Sequence, residues 1–308
     1  MKAIRILAYG GPEVMQLNEV PIPDCGPGDL LVRVVAAGVN PVDWKLRAGA
    51  MAGTLHKPMP FTPGQDGAGV VVAMGGSVQG FALEDRVCFY ADTVQDGTYA
   101  EYVVVPATQA ARIPPEVSFV DAAALPTPGQ AAWTALVDMA QLKPGSRVLI
   151  QGAAGAVGGV AVQLAKQLGA YVVAMASTNS MARVKSLGAD QVLDYGSGLG
   201  LPLRDMDVVL DTIGGLVQEA SWHTLQAGGL LLATSVAPSQ ARAQQAGVRA
   251  RFVMTRPRGS VLASLLQRQL RVELARVLPM ADAALAHRLG ERGQAGGKMV
   301  LLMPPRVL

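Results

Sequence analysis

Arg147 to Gly169 reads RVLIQGAAGAVGGVAVQLAKQLG. An apolar run of Val148, Leu149 and Ile150 meets a glycine-rich turn, and beyond it Val157, Val160, Ala161, Leu164, Ala165 and Leu168 recur at helical spacing. The run predicts a buried parallel strand, the turn Gly152 to Gly158 joins it to a helix, and a second strand, Tyr171 to Ala176, closes a βαβ unit. Ala153, Gly155 and Gly158 occupy the G-x-G-x-x-G positions, with alanine in the first. Small residues are needed there because a pyrophosphate rests on free N–H groups at the helix N-terminus. Ala153, Ala154, Gly155, Ala156, Val157 and Gly158 are therefore the expected dinucleotide seat.

The end of the second strand indicates which dinucleotide. An NAD site places a carboxylate there for the adenine ribose hydroxyls. Here Ser177, Thr178, Asn179 and Ser180 follow the strand, and no Asp or Glu occurs from Met139 to Ala189. Hydroxyls, an amide and a nearby cation, Arg183, suit a 2′-phosphate instead, so NADPH is the expected cofactor. Arg183 and Lys185 also fit the solvated face of the next helix.

Size and composition exclude several other classes. The 308 residues are half apolar, enough for two domains with substantial cores. A net charge of +3 from 26 basic and 23 acidic residues, without long single-sign runs, argues against a nucleic-acid surface. Cys25 and Cys88 are the only cysteines, too few for a disulfide framework or a Cys-rich zinc site. No apolar stretch reaches membrane-spanning length, and the opening MKAIRILAYGGPE is too short in its apolar part for a signal sequence. Cytoplasmic residence is the default expectation.

Residues 1 to about 110 carry short β-rich runs broken by turn residues: Leu30 to Ala37, Gly69 to Met74, Arg86 to Tyr90 and Tyr99 to Val105. They predict an irregular, mostly antiparallel β domain. Further on, helices alternate with apolar strands at Val148 to Ile150, Val172 to Ala176, Val208 to Leu210, Leu230 to Ala233 and Phe252 to Met254, the pattern of a doubly wound sheet. After Pro257 an amphipathic segment leads to a closing strand, Met299 to Met303. The predicted α/β architecture is a β-rich catalytic domain over 1–120, a dinucleotide domain over 121–257, and a return of 258–308 to the first domain, with the active site in the cleft between them.

Several blocks in order resemble one family: AAGVNPVDWKLRAG from Ala36, PGQDGAGVV from Pro63, GTYAEYVVVP from Gly97, AAALPTPGQAAWTAL from Ala122, the glycine turn itself, LGADQVLDY from Leu187 and GGKMVL from Gly296. The chain is similar to medium-chain dehydrogenase/reductases, specifically the zinc-free quinone oxidoreductase and zeta-crystallin branch. The resemblance implies a GroES-like catalytic domain, a Rossmann domain, NADPH and a homodimer. The two Cys and one His that hold catalytic zinc in metal-dependent relatives fall here on Asn40, Gln65 and a position near Thr127, none of them usual zinc ligands.

Without a Lewis acid, an unactivated ketone or alcohol is hard to polarise, whereas hydride added to the β-carbon of a conjugated acceptor leaves a delocalised enolate. A quinone or α,β-unsaturated carbonyl is the expected substrate. By resemblance Asn40, Asp43 and Lys45 of NPVDWK line the nicotinamide cleft: Lys45 to stabilise enolate charge or deliver a proton, Asn40 to orient a carbonyl or ribose. Asp43 and Lys45 equally fit a surface ion pair on an extended segment, and Asn40-Pro41 a turn. Thr127, Tyr195, Thr212, Ser235 and Lys298 complete the expected cofactor set, with an ion-pair role open for Lys298.

Two positions depart from the family. Ala50 and Met51 stand where many relatives carry a tyrosine, and Asn179 and Ser180 stand where the NADPH branch carries Lys or Arg, which implies a softer cofactor preference. An enoyl-thioester reductase, with Arg242, Arg249, Arg251, Arg256 and Arg258 greeting an acyl carrier, and a non-catalytic NADPH-binding sensor are the alternatives. His56, His223 and His287 show no metal spacing and read as surface or packing residues.

Overall fold

The computed structural model describes residues 1–55, 57–197 and 203–304. His56 lies outside them. In Asp29–Val39, Leu30, Val32 and Val34 are buried while the residues between them are half-exposed, as in a sheet with one wet face. From Ala36 onward the strand is continuously buried. Gly38 shows why: a Cβ there would lie 2.9 Å from Asp66 Cβ and closer still to the Ala123 carbonyl, so a helix presses directly on the strand.

Along the chain, the first unit opens with the antiparallel pair β1 (Lys2–Ile6) and β2 (Met15–Glu19). β3 (Asp29–Val39), α1 (Pro41–Arg47), β4 (Asp66–Met74), β5 (Arg86–Tyr90), β6 (Tyr102–Pro106), β7 (Ala110–Arg112) and α2 (Phe119–Ala124) follow. The second unit begins within α3 (Pro126–Trp133), at Pro128, and continues through β8 (Arg147–Gln151), α4 (Ala156–Gln167), β9 (Tyr171–Ala176), α5 (Met181–Ser186), β10 (Gln191–Asp194), β11 (Met206–Asp211), α6 (Gly215–Glu219), β12 (Leu225–Ala233), α7 (Gln240–Gln245) and β13 (Arg249–Phe252). The chain ends through α8 (Gly259–Gln267), β14 (Leu274–Pro279), α9 (Ala283–Glu291) and β15 (Lys298–Leu302). Among the described residues no helix is long and apolar enough to cross a membrane.

In the first unit the main sheet runs β14-β15-β3-β4-β5-β7, with β6 also on β3. Its pairings are antiparallel except β14 with β15. In the second, six parallel strands run β10-β9-β8-β11-β12-β13. The chain reverses direction across the sheet between β8 and β11, and ligands of such sheets bind beyond the carboxyl ends of the strands near that point.

Among the boundaries that differ from expectation, three have a plain packing reason. The first unit extends to Thr127 rather than 120, because Ala122, Ala123 and Ala124 of α2 are buried against β3 and β4, and it resumes at Pro257. β6 begins at Tyr102, since Ala100 makes only an isolated bridge to Ala3. The last parallel strand is Arg249–Phe252 and not Phe252 to Met254: Met254 is 72% exposed, an apolar residue that buries little.

Candidate functional site

In the second unit β8 delivers the chain to Gly152, whose φ of +67° begins the turn, and Ala153 N donates to Met175 O at 3.0 Å to tie it to β9. Gly155 caps α4 in extended conformation and, having no side chain, supplies no capping acceptor to the first-turn N–H groups of Ala156, Val157 and Gly158. A Cβ on Gly158 would lie 2.7 Å from Ala153 Cα and press on the Gly152 carbonyl. Thr212 Oγ1 donates to Gln151 O at 2.9 Å and backs the turn. Ser235 Oγ is shielded from solvent with no hydrogen-bond partner among the described residues.

The segment after β9 folds toward the same turn. Ser177 Oγ donates to Ser180 Oγ at 3.2 Å. Arg183 donates to Ala154 O at 3.2 Å and to Ser180 Oγ at 3.5 Å, so its guanidinium joins the glycine turn to the hydroxyl cluster. Lys185 instead donates to Asp190 O at 2.6 Å on the exposed face. Thr178 Oγ1 donates to Asp194 Oδ2 at 2.5 Å, and Gly196 N donates to the other carboxylate oxygen at 2.9 Å. These donors, the Thr178 hydroxyl first, and the backbone N–H of Thr178 hold the Asp194 carboxyl below the usual range. Thr178, Asn179 and Tyr195 are exposed. Asp211, the last residue of β11, is wholly buried and accepts from Ile213 N, Gly214 N and Gln218 Nε2, closing its own turn.

In the first unit Asn40 caps α1, with Pro41 at the first helical position, and Asn40 N donates to Asp43 Oδ2 at 2.7 Å. The Asn40 side chain turns elsewhere. Its Nδ2 donates to Asp66 Oδ2 at 2.9 Å, while Lys298 Nζ donates to Asn40 Oδ1 at 2.6 Å and to Asp66 Oδ2 at 2.9 Å. Thr127 donates to Asp66 Oδ1 through N at 2.8 Å and Oγ1 at 2.6 Å. Three expected site residues, Asn40, Thr127 and Lys298, thus meet on a carboxylate that sequence reasoning missed. Its signal was available: an ionisable residue opening the buried first part of β4.

On the far side of Asp43, Tyr99 OH donates to Oδ2 at 3.2 Å and stands 3.3 Å from His287 Nε2. Trp44 meets His287 edge-on, and Arg47 pairs with Glu291, so α1 is clamped to α9. Burial raises the Asp43 carboxyl to about 7, assisted by Asp66 and opposed by Asn40 N, Lys298 and Tyr99. Burial, with Arg47 nearby, lowers His287 to about 3 and keeps it neutral. His287 is a packing residue. Lys57, buried over the Phe61 ring and donating to Gln95 O, is lowered by burial to about 8.

Lys45 is exposed while Asp43 is buried, so the two form no surface ion pair: the segment is helical, and residues two apart on a helix face different directions. Of the basic segment, Arg242, Arg249, Arg251 and Arg256 are exposed and Arg258 is half-buried: Arg242 pairs with Glu219, and Arg249 donates to Gly228 O. Asn40, Gln65 and Thr127 offer amides and a hydroxyl, with no thiolate or imidazole, a donor set that does not fit zinc. Both amide atoms of Gln65 are buried without a hydrogen-bond partner among the described residues.

The two sheets and this glycine turn define a medium-chain dehydrogenase/reductase. Residues 26–115 match the alcohol dehydrogenase GroES-like domain family and residues 187–301 the zinc-binding dehydrogenase family. The chain belongs to the quinone oxidoreductase branch and is an oxidoreductase of that family. It is 31% identical to a quinone oxidoreductase from Lama guanicoe, covering 98% of both chains. It is 38% identical to the 2-methylene-furan-3-one reductase of Solanum lycopersicum over 70% of this chain and 57% of that one. A mycobacterial protein solved in complex with NADPH superimposes with a TM-score of 0.82 at 29% identity, covering 98% of this chain and 100% of that one.

Proposed function

We propose that this protein is an NADPH-dependent reductase of quinones or α,β-unsaturated carbonyls that works without zinc. The observation that carries the reading is the junction of Arg183 with Ala154 and Ser180, which sets a guanidinium and hydroxyls beside a side-chain-free helix N-terminus. The NADPH complex of the mycobacterial neighbour and the names of the quinone and furanone reductases support it.

In this reading the first turn of α4 takes the pyrophosphate, with Arg183 and Ser177 at the 2′-phosphate end and Thr212 and Ser235 toward the nicotinamide. Bound NADPH supplies a hydride from its nicotinamide ring. Lys45, exposed and free to swing, stabilises oxyanion charge or supplies a proton, and Asn40 orients a ligand carbonyl with the N–H and lone pair left over from its bonds to Asp66 and Lys298. Asp43, without exposed surface, is a positioning residue that holds the cap of α1. Asp66 and Lys298 fix Asn40 in one rotamer. The exposed edge strand β13 pairs two copies into a homodimer.

The test is NADPH oxidation with a benzoquinone, a naphthoquinone, a short enal, a cyclic enone and a crotonyl thioester, repeated with NADH. Turnover of quinones or enones with NADPH is expected. Turnover of the thioester alone would make the protein an enoyl-thioester reductase, and NADPH binding without any turnover would make it a non-catalytic binder.

A further inference from the structure

The end of β9 lacks an acidic residue, yet the fold supplies one from the neighbouring strand. Asp194 is the last residue of β10 and lies level with Ala176, the last residue of β9, in the parallel register. Its carboxylate therefore stands beside the segment Ser177 to Ser180, at the carboxyl edge where the adenosine end of a dinucleotide binds.

The hydrogen bond between Asp194 and Thr178 has a direction. A carboxylate only accepts, so the single hydroxyl proton of Thr178 is committed to Asp194 Oδ2 at 2.5 Å. Toward a ligand Thr178 then offers lone pairs alone. A 2′-phosphate, itself an acceptor, gains nothing from that oxygen and meets a second negative charge behind it, whereas a ribose 2′-hydroxyl has a proton to donate. Arg183 pulls the other way from the side of the glycine turn.

We infer that Asp194 is a specificity-determining residue that tempers the preference for NADPH by fixing the Thr178 hydroxyl as an acceptor and by placing a carboxylate behind it. This rests on the dinucleotide reading above and goes beyond it by naming the group that opposes the phosphate. With Asp194 present, NADH remains a competent ligand. With it removed, the Thr178 proton is released to a phosphate oxygen.

Binding of NADPH and NADH to the wild-type protein, Asp194→Ala, Asp194→Asn and Thr178→Val is followed by quenching of tryptophan fluorescence. Asp194→Ala is expected to raise the NADPH:NADH affinity ratio about five- to tenfold, as the gain of one charge-assisted hydrogen bond and loss of one repulsion would. Asp194→Asn, which loses the charge but keeps an acceptor, should fall between. Thr178→Val, on the exposed segment, guards against misfolding of the Asp194 variants and should weaken NADH about twofold to fivefold while leaving NADPH unchanged. A change of fold alone would weaken both dinucleotides together and would not move the ratio. A ratio within about twofold of wild type in every variant, with both ligands bound, overturns the role of Asp194. Failure of the wild-type protein to bind either dinucleotide overturns the NADPH reading and takes this inference with it.

Discussion

Asp66 and Asp194 each accept the hydroxyl proton of a threonine, Thr127 in one case and Thr178 in the other. Their surroundings are otherwise opposite. Asp66 has no exposed surface, accepts from Asn40, Lys298 and both donors of Thr127, and carries a buried lysine as its counter-charge. Asp194 is partly exposed and held by Thr178 and a backbone N–H. A carboxylate in a dry interior must be ringed by donors or it will not stay ionised, so its bonds are used up inside the protein. One at a strand end needs little support and keeps its field for whatever arrives. Similar Asp–Thr pairs thus serve architecture in one unit and ligand reading in the other.

The comparison breaks most visibly at Lys298. Lys298→Met leaves Asp66 buried without its cation and should cost about 3–5 kcal/mol in denaturant unfolding, with much of it recovered when Asp66→Asn is added. A cost below about 1 kcal/mol would mean that water reaches this network after all. The largest effect in the second unit is expected from Gly158→Ala. The added methyl presses on Ala153 and Gly152, and NADPH binding should weaken about a hundredfold, ~2.7 kcal/mol, with the far-ultraviolet circular dichroism unchanged.

Two buried groups of the first unit should give opposing pH signatures. His287 is depressed from 6.5 to about 3, so the stability it contributes is present above about 6.5 and lost as pH falls toward 3. Asp43 is raised from 3.8 to about 7, so its contribution is present below about 4 and lost as pH rises to 7. Thermal denaturation across pH 4 to 8 should therefore show a steeper acid loss in Asp43→Asn than in the wild-type protein, because the compensating gain is gone. Equal slopes would show that Asp43 is ionised throughout.

The smallest structural effect belongs to Lys45. Exposed on α1, it should cost under about 0.5 kcal/mol of stability as Lys45→Ala, while kcat falls about tenfold with NADPH affinity intact. An unchanged kcat returns it to the solvated surface.

Local pattern carried the glycine turn, the strand before it and the helix after it, because each depends on residues within one short segment. The cap of α1 was half legible: Asn40-Pro41 announced a break, but the helix after it was indistinct, so a surface ion pair with Lys45 stayed open for Asp43 beside the cleft-lining role, and its burial removes that alternative. Met254 shows the reverse error, since an apolar residue next to a strand pattern was counted into the strand when it had already ended at Phe252. Asp66 went unread because DGAG looks like a turn until β3 and α2 close over it.

By itself, the sequence determined a dinucleotide-type βαβ unit, a β-rich partner domain and the absence of an acid at the end of β9, since periodicity, turn chemistry and composition are properties of neighbouring residues. Only the tertiary structure decided that Lys298 lies on Asp66, 232 residues away, and that Asp194 stands level with Ala176. Both follow from strand register, which is chosen by the packing of whole sheets and leaves no mark on any single segment.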